Sequence, residues 1–213
     1  MGGAYGAAGI GGNAGSTDSE GANYGTGTIR IKGGTISADG GAYWVPQTRD
    51  YEGGAGIGTG RYGIGGIIEI LGGTITAEGG KQTGAGIGGG MSGRVDTIVI
   101  GGTIGKAPDI TVSSYKDSTK GYMGAAIGSG WNGVSGLILS CGDIRILSGS
   151  VEVTGGNIGY GVLRPLGGNS MKGGSITISE KVQLKLPVGS KIEPGETVPT
   201  GRKHSRSPHM ITS

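Results

Sequence analysis

The stretch of sequence that decides the fold is Gly66-Ile67-Ile68-Glu69-Ile70-Leu71-Gly72-Gly73-Thr74-Ile75-Thr76-Ala77. Ile68 and Ile70 alternate with Glu69, and Ile75 lies between two threonines. Because successive side chains of a β-strand point to opposite faces, this period of two places isoleucine on one face and polar residues on the other. The Gly-Gly pair between the two runs can adopt the positive φ that a sharp corner requires. The stretch therefore predicts two short strands joined by a tight corner.

The Gly-Gly-Thr-Ile phrase of this stretch recurs along the chain and alternates with a second phrase, Ala-Gly-Ile-Gly. Copies of Gly-Gly-Thr-Ile or a close variant begin at Gly33, Gly72, Gly101, Ser148 and Gly173. Copies of Ala-Gly-Ile-Gly or a close variant begin at Ala8, Ala55, Ala85, Ala125 and Gly156. Self-similarity at spacings of this kind is typical of repeat architectures. In the third unit Gly101 follows its Ile-x-Ile run one residue early, so we expect a bulge or slip there.

Three short strands separated by glycine pairs form one predicted repeat unit. A single unit has no interior in which to bury its isoleucines, so stacked units are needed to align them in a continuous core. Connections between parallel strands are right-handed in about 98% of cases. We therefore predict an all-β fold, a right-handed parallel β-helix (solenoid) of about five coils with irregular loop insertions. An antiparallel sandwich is the alternative, but it does not explain why the phrases recur in one order.

The composition excludes several other classes of protein. Glycine accounts for 54 of the 213 residues, about a quarter against a background of roughly 7%. Since each glycine costs a helix roughly 1 kcal/mol relative to alanine, a helical bundle is excluded. The glycines cluster in pairs and keep no every-third period, so collagen is excluded too. No run of about 18 apolar residues occurs, and we expect no membrane span.

The positive net charge comes from the C-terminal end of the chain. Removing Arg202, Lys203 and Arg206 from the 18 basic residues leaves 18 − 3 = 15 bases against 15 acids. A neutral body lacks the basic stripe that nucleic-acid binding requires, so we expect no nucleic-acid partner. The single cysteine, Cys141, lies in an apolar run, which favours a small core residue over a catalytic thiol. No His/Cys cluster indicates a metal, and we expect neither metal nor cofactor.

Unit lengths vary because the connectors vary. Two insertions, Ala42 to Glu52 and Lys106 to Tyr122, are predicted at corresponding joints, between the Thr-Ile strand and the Ala-Gly-Ile-Gly strand of their units. Insertions at one joint of a repeat array protrude from one side and often form the binding face. We predict a β-helix domain over residues 1–180, a terminal cap or the start of another module over 181–199, and a disordered tail over 200–213.

The patterns that could indicate catalysis are weak. G-x-G-x-x-G occurs three times at equivalent repeat positions, and each copy precedes another strand-like run instead of a helix, which favours a corner requirement over nucleotide binding. Hydrolysis of a glycosidic bond needs two carboxyl groups roughly 5 to 9.5 Å apart. Asp50, Glu52 and Asp117 lie in the insertions and are the candidate acids of an enzyme. Outward threonines form a partial ladder similar to those of ice-binding proteins, but other residues interrupt it.

Aromatic residues avoid the isoleucine positions and fall in the insertions or directly after corners. Four of them are the candidate ligand-binding residues: Tyr43, Trp44, Tyr51 and Trp131. Exposed Trp and Tyr beside polar residues are typical of sugar-binding surfaces, because the rings stack on sugar faces while polar groups bind hydroxyls. The alternative is that these rings pin long loops to the wall of the fold, and the pattern does not choose between the two.

Two segments, Gly84-Ala85-Gly86-Ile87-Gly88-Gly89-Gly90 and Gly72-Gly73-Thr74-Ile75-Thr76-Ala77, resemble a glycine-rich repeat of large secreted or wall-attached, adhesin-like proteins of gut-type Gram-positive bacteria. The segment from Val182 to Val198 is similar to short extended repeats that often follow it. The resemblance implies a β-helical stalk or adhesin-like region, commonly described as carbohydrate-binding. It implies no catalytic residues.

These observations predict a non-enzymatic β-helical module that adheres or binds glycans, such as a polysaccharide, through its loop aromatics. We expect it to be extracellular or at the cell surface, as a fragment of a longer exported protein. Two alternatives are left open by the sequence: a polysaccharide-degrading enzyme, and a purely structural spacer within a larger surface protein.

Overall fold

The computed structural model describes residues 5–15, 25–47, 50–102, 106–119, 121–133, 137–162 and 170–193. The regular secondary structure of these ranges consists of β-strands, and most of the strands belong to three large parallel sheets. No helix in the described ranges is long and apolar enough to cross a membrane. The prediction of an all-β protein is therefore confirmed.

Most strands of each large sheet share one of the recurring sequence phrases. Sheet 1 takes the Ile-Gly dipeptides in strands β1 (Ile10–Gly11), β6 (Ile57–Gly58), β9 (Ile87–Gly88), β14 (Ile127–Gly128), β18 (Ile158–Gly159) and β22 (Ile192–Glu193). Sheet 2 takes the Ile-x-Ile runs in β2 (Thr28–Ile31), β7 (Ile67–Ile70), β10 (Thr97–Ile100), β16 (Asp143–Ile146) and β20 (Ser175–Ile178). Sheet 3 consists of β3 (Thr35–Asp39), β8 (Thr74–Glu78), β11 (Asp109–Ser113), β17 (Gly149–Gly155) and β21 (Val182–Lys185).

The chain visits the three sheets in a fixed order. A strand of sheet 1 is followed by one of sheet 2 and one of sheet 3, and the next large-sheet strand again belongs to sheet 1. We call three such strands a layer; the described residues contain five layers, and β22 adds a sixth strand to sheet 1. Successive layers pair in parallel with equivalent residues opposite one another, as Ile68, Ile98 and Ile144 are in sheet 2. This parallel pairing contradicts the antiparallel sandwich.

In-register pairing aligns branched aliphatic side chains in columns through the interior. The inner members of these columns, such as Ile57, Ile87 and Ile127 in sheet 1, are fully buried. Six members of the terminal strands, which have a neighbouring strand on one side only, are half-buried: Ile10, Ile29 and Ile36 at one end, and Ile176, Ile178 and Ile192 at the other. Burial of one such side chain contributes roughly 1.5–3 kcal/mol, so the columns are the main source of stability. The inward placement of isoleucine is confirmed.

Sheet 1 requires glycine at one position of each inner layer. Gly58, Gly88 and Gly128 have φ values of +141°, +137° and +135°, which side chains with a Cβ rarely adopt. A Cβ added at Gly88 would also lie 1.9 Å from the carbonyl oxygen of Gly128 in the next layer. Since each G-x-G-x-x-G pattern begins at one of these three glycines, the stacking of layers gives the pattern a structural cause.

The structure corrects two strand assignments. The phrase copy that begins at Gly173 is predicted for sheet 3, but its strand is β20 of sheet 2, which pairs with β16; the fifth strand of sheet 3 is β21.

The second correction concerns the third layer. The sequence predicts the sheet 3 strand of the third layer at Gly101-Gly102-Thr103-Ile104, of which Thr103 and Ile104 lie outside the described residues. The strand that pairs with β8 and β17 is instead β11, whose Ile110 and Val112 are buried. The insertion predicted over Lys106 to Tyr122 is therefore wrong in its first half, because β11 is part of the core. A register shift falls in the pairing of β11 with β17, between Val112 and Ser113. The bulge or slip expected at Gly101 borders residues 103–105, which lie outside the described residues, and stays a prediction.

Short strand pairs occupy the connections between the large sheets. Two antiparallel hairpins, β4 (Ala42–Val45) with β5 (Asp50–Gly53) and β12 (Lys116–Asp117) with β13 (Gly121–Tyr122), both lie between a sheet 3 strand and the next sheet 1 strand. The place predicted for the first insertion is thus confirmed. A parallel pair, β15 (Ile138–Leu139) with β19 (Ser170–Met171), precedes sheet 2 strands.

The C-terminal strands extend the same sheets. β21 pairs with β17 in sheet 3, and β22 pairs with β18 in sheet 1. The proposed boundary between residues 180 and 181 stays a prediction. The predicted tail over 200–213 lies outside the described residues.

Candidate ligand-binding surface

The hairpin of β4 and β5 carries three of the four aromatic residues predicted to bind a ligand. Across the hairpin, Tyr43 lies opposite Glu52 and Trp44 lies opposite Tyr51. Because side chains alternate along a strand, Tyr43 and Glu52 share one face of the hairpin, whereas Trp44 and Tyr51 share the other. The two faces have different neighbours and therefore different roles.

The Tyr43 face fixes the hairpin to the body of the fold through Arg61. The Arg61 guanidinium forms an ion pair with the Glu52 carboxylate and lies over the Tyr43 ring, 4.4 Å from its centroid. The Tyr62 hydroxyl donates to the other carboxylate oxygen of Glu52 at 2.8 Å. A partly buried ion pair reinforced by a hydrogen bond and a cation–π contact holds a loop in one position. The contacts of Tyr43 therefore favour the alternative that its ring holds the hairpin against the body of the fold.

The other face presents an aromatic platform, which we define as Trp44 and Tyr51. Their ring centroids are 4.9 Å apart and their planes are tilted by 56°. Trp44 is 44% exposed, and Tyr51 is half-buried. The Nζ atom of Lys81 lies 4.4 Å from the centroid of the Tyr51 ring. A large ring held by a neighbouring ring can receive the apolar face of a ligand with little loss of conformational entropy.

The turn at Lys81 and Gln82, in the second layer, connects the two hairpins. The Gln82 side-chain oxygen accepts a hydrogen bond from the Tyr51 backbone N–H at 2.8 Å. Its side-chain nitrogen donates to the Asp117 carboxylate in the second hairpin at 3.0 Å. One side chain thus ties together the same joint in three successive layers. The sequence analysis missed both residues because they lie in a short turn; the signal that could have found them is their position at the joint where the neighbouring layers carry insertions.

A groove continues this surface beyond the second hairpin. Its volume is about 440 Å³, and it is open to solvent. Its wall includes Lys116 of the third layer, Thr154 and Asn157 of the fourth layer, and the segment 187–190. We call the aromatic platform, the Lys81–Gln82 turn, the second hairpin and this groove the loop face. These four parts follow one another along the direction in which the layers stack.

Trp131, the fourth predicted residue, does not lie on the loop face. Its side chain is only 7% exposed. A Cβ added at Gly133 would lie 2.5 Å from a ring atom of Trp131, so the ring packs closely against the backbone there. The backbone N–H of Trp131 donates to the Thr83 carbonyl at 2.9 Å. Its burial corrects the expectation that Trp131 is an exposed ring, whereas ligand binding by Tyr43, Trp44 and Tyr51 stays a prediction.

The candidate catalytic acids Glu52 and Asp117 are held by donors from the protein. Glu52 accepts from Arg61 and Tyr62, and Asp117 accepts from Gln82 and from the Thr119 backbone N–H at 2.8 Å. These bonds favour a structural role for both carboxylates, which fix the two hairpins. Among the described residues, no group of three or more His, Cys, Asp or Glu side chains is placed to hold a metal ion.

The cysteine lies in the core, away from the loop face. Cys141 is fully buried, and burial raises the pKa of its thiol to about 12. Burial also raises the pKa of Tyr160, whose hydroxyl donates to the Gly173 carbonyl. Because the thiolate is the reactive form of cysteine, a thiol with so high a pKa is inert near neutral pH. The prediction that Cys141 is a small core residue is confirmed.

No protein-family model, curated protein or solved structure matches this chain.

Proposed function

We propose that the chain is a right-handed parallel β-helix, a solenoid of about five coils, that binds glycans through its loop face. The fixed order in which the chain visits the three sheets supports the solenoid, since each layer then corresponds to one coil. The right hand follows from the strong preference of connections between parallel strands. The repeat phrases, which resemble those of secreted adhesin-like proteins, support a place outside the cell within a longer exported protein.

The observation that carries the proposal is the exposure of Trp44 on a hairpin that is already pinned by other residues. Arg61, Glu52 and Tyr43 hold the hairpin from one face, so the Trp44 ring is not needed for that purpose. Trp44 nevertheless stays 44% exposed and is braced by Tyr51. A rigid, exposed indole beside polar side chains is the arrangement that stacks on the CH-rich face of a sugar.

The test is a glycan array followed by titration of the best ligand, with the wild-type chain and the Trp44→Ala variant. We expect Trp44→Ala to lower the affinity by tenfold or more, a loss of about 1.4 kcal/mol. Ile67→Ala is the matched control, because Ile67 is 41% exposed on sheet 2 and is not part of the loop face. Circular dichroism of both variants verifies that they fold.

Three results would contradict the proposal. Absence of wild-type binding to every glycan favours the structural spacer. Equal affinity of wild type and Trp44→Ala removes the platform from the binding site. Release of reducing sugar from a polysaccharide favours the enzyme, for which Asp50, Glu52 and Asp117 are the acids to substitute.

A further inference from the structure

We infer that the ligand is a linear glycan bearing carboxylate or sulfate groups, and that it lies along the stacking direction of the layers, from the aromatic platform to the groove. This inference rests on the proposed function and specifies its ligand class. Three features of the loop face lead to it: the alignment of its parts, the state of its charges, and the position of Lys81 against the platform.

The parts of the loop face come from the same joint in four consecutive layers. The platform belongs to the first layer, Lys81 and Gln82 to the second, the hairpin with Lys116 to the third, and Thr154 with Asn157 to the fourth. Neighbouring parallel strands lie roughly 4.8 Å apart, so the first and fourth layers are separated by about 14 Å. A surface of that length and direction suits several units of an extended polymer, whereas a single terminal sugar would contact the platform alone.

Two carboxylates of the loop face, those of Glu52 and Asp117, are occupied by donors of the protein, whereas the Lys81 ammonium has no acidic partner among the described residues. Arg61 and Tyr62 bind Glu52, and Gln82 and Thr119 bind Asp117. Lys81 is exposed, its ammonium contacts the Tyr51 ring, and it forms no ion pair with an acid among the described residues. Lys116 is exposed and lines the groove. An anionic ligand thus meets the Lys81 ammonium without displacing an acid from it.

Lys81 is placed where stacking and charge recognition act on the same sugar unit. Its Nζ atom is 4.4 Å from the centroid of the Tyr51 ring, and that ring is 4.9 Å from the Trp44 ring. A sugar that stacks on Trp44 therefore brings an acidic substituent within reach of Lys81. Hydrogen bonds between an ammonium and a carboxylate or sulfate are about twice as strong as neutral ones, and they select for the charged form of the sugar.

The test uses linear glycans in matched acidic and neutral forms. Suitable pairs are polygalacturonate and its methyl ester, hyaluronan and its carboxyl-reduced form, and a sulfated glycosaminoglycan and its desulfated form. Affinities are measured by calorimetry with the full chain, for oligomers of two to ten sugar units and at two salt concentrations. The variants are Lys81→Gln and, as the matched control, Lys32→Gln, since Lys32 is exposed and follows β2 on sheet 2.

We expect the acidic member of at least one pair to bind tenfold tighter or more, with an advantage that shrinks at high salt. Lys81→Gln should remove most of this advantage and retain binding of the neutral member, whereas Lys32→Gln should change neither. Affinity should also rise with oligomer length until the chain spans the loop face, and then level off.

The failure of this inference is distinguishable from that of the proposed function. One such result is glycan binding that depends on Trp44 and yet is equally strong for the acidic and neutral members of each pair; another is glycan binding that Lys81→Gln leaves unaffected. Either result overturns the inference that the ligand is acidic. If a disaccharide already binds with the full affinity, the inference that the ligand extends along the loop face is wrong. Absence of binding to every glycan overturns the proposed function itself.

Discussion

At the scale of single residues, the glycines of sheet 1 give one physical reason why this chain is rich in glycine. Gly88 has a φ of +137°, and a Cβ there would lie 1.9 Å from the Gly128 carbonyl oxygen of the next layer. Gly58 stands in the same relation to Gly88. These positions combine a backbone conformation that disfavours a side chain with a separation that leaves no room for one. Their glycines are a packing requirement of the stacked layers and do not indicate a flexible chain.

Gly88→Ala tests this requirement. We expect it to lower the free energy of unfolding by about 4 kcal/mol or more, or to prevent folding, because backbone strain and a clash act together. The measurement is denaturant unfolding followed by circular dichroism. Gly33→Ala is the control, since a Cβ at Gly33 meets nothing within 4 Å and its φ is not positive. Equal unfolding curves for the two variants would show that the backbones of adjacent layers are not as close at Gly88 as the structure places them.

Sequence patterns predict residues well where the cause is local and poorly where it is not. The inward side of the Ile-x-Ile runs follows from the two-residue period alone, and the structure confirms it. The burial of Trp131 does not follow from any local pattern, because it depends on how closely the backbone at Gly133 approaches the ring. Gln82 is similar: its bonds to Tyr51 and Asp117 join residues 31 and 35 positions away.

At the scale of elements, parallel pairing in register sets equivalent side chains beside each other on the outer faces. Opposite charges meet where Arg30 in β2 pairs with Glu69 in β7. Like charges meet where Asp39 in β3 lies opposite Glu78 in β8. Desolvation by burial and the neighbouring Asp39 carboxylate raise the pKa of Glu78. Like charges directly opposite each other destabilise a strand pair, so this is a weak point of sheet 3.

Substitution of Glu78 by Gln gives a pH-dependent test of this pair. A carboxyl group whose pKa is higher in the folded state than in the unfolded state favours folding at low pH, and this contribution is lost as pH rises through the folded pKa. Glu78→Gln should therefore raise the Tm at pH 7 and have a smaller effect at pH 3. The measurement is a thermal melt at both pH values, with exposed Glu180→Gln as the control. A lower Tm at pH 7 would contradict the assigned repulsion.

The repeat phrases predict most strands correctly, but they misplace the strand at Gly173, which is β20 of sheet 2, and they miss β11. Similarity to the repeat phrase selects Gly101-Gly102-Thr103-Ile104. A segment joins sheet 3, however, because its apolar and polar side chains alternate and because it can pair with β8, and a preceding Gly-Gly pair is not required. Asp109-Ile110-Thr111-Val112-Ser113 meets both conditions, because it buries Ile110 and Val112. The hairpin β12–β13 then takes the joint that the longer predicted insertion was expected to fill.

At the scale of the whole molecule, stacking brings together side chains that are distant in sequence. Because every layer repeats the same order of strands, all connections from sheet 3 to sheet 1 emerge at one joint. The two hairpins lie at the same joint of their layers, as the sequence predicts for the insertions, and ligand binding by the loop face stays a prediction. Its individual contacts could not be predicted, since they depend on the register between hairpins of different layers.

Thiol cross-linking across sheet 3 tests the parallel, in-register stacking most directly. Thr74 in β8 lies opposite Asp109 in β11, whereas Ser113 lies four residues further along β11, about 13 Å from that position. Two double variants, Thr74→Cys with Asp109→Cys and Thr74→Cys with Ser113→Cys, are made with the buried Cys141 replaced by alanine. Each is treated with a fluorogenic cross-linker that carries two thiol-reactive groups and whose reach is one strand spacing. Parallel stacking predicts efficient bridging in the first variant and none in the second; bridging confined to the second would require antiparallel strands and contradict the fold on which the loop face depends.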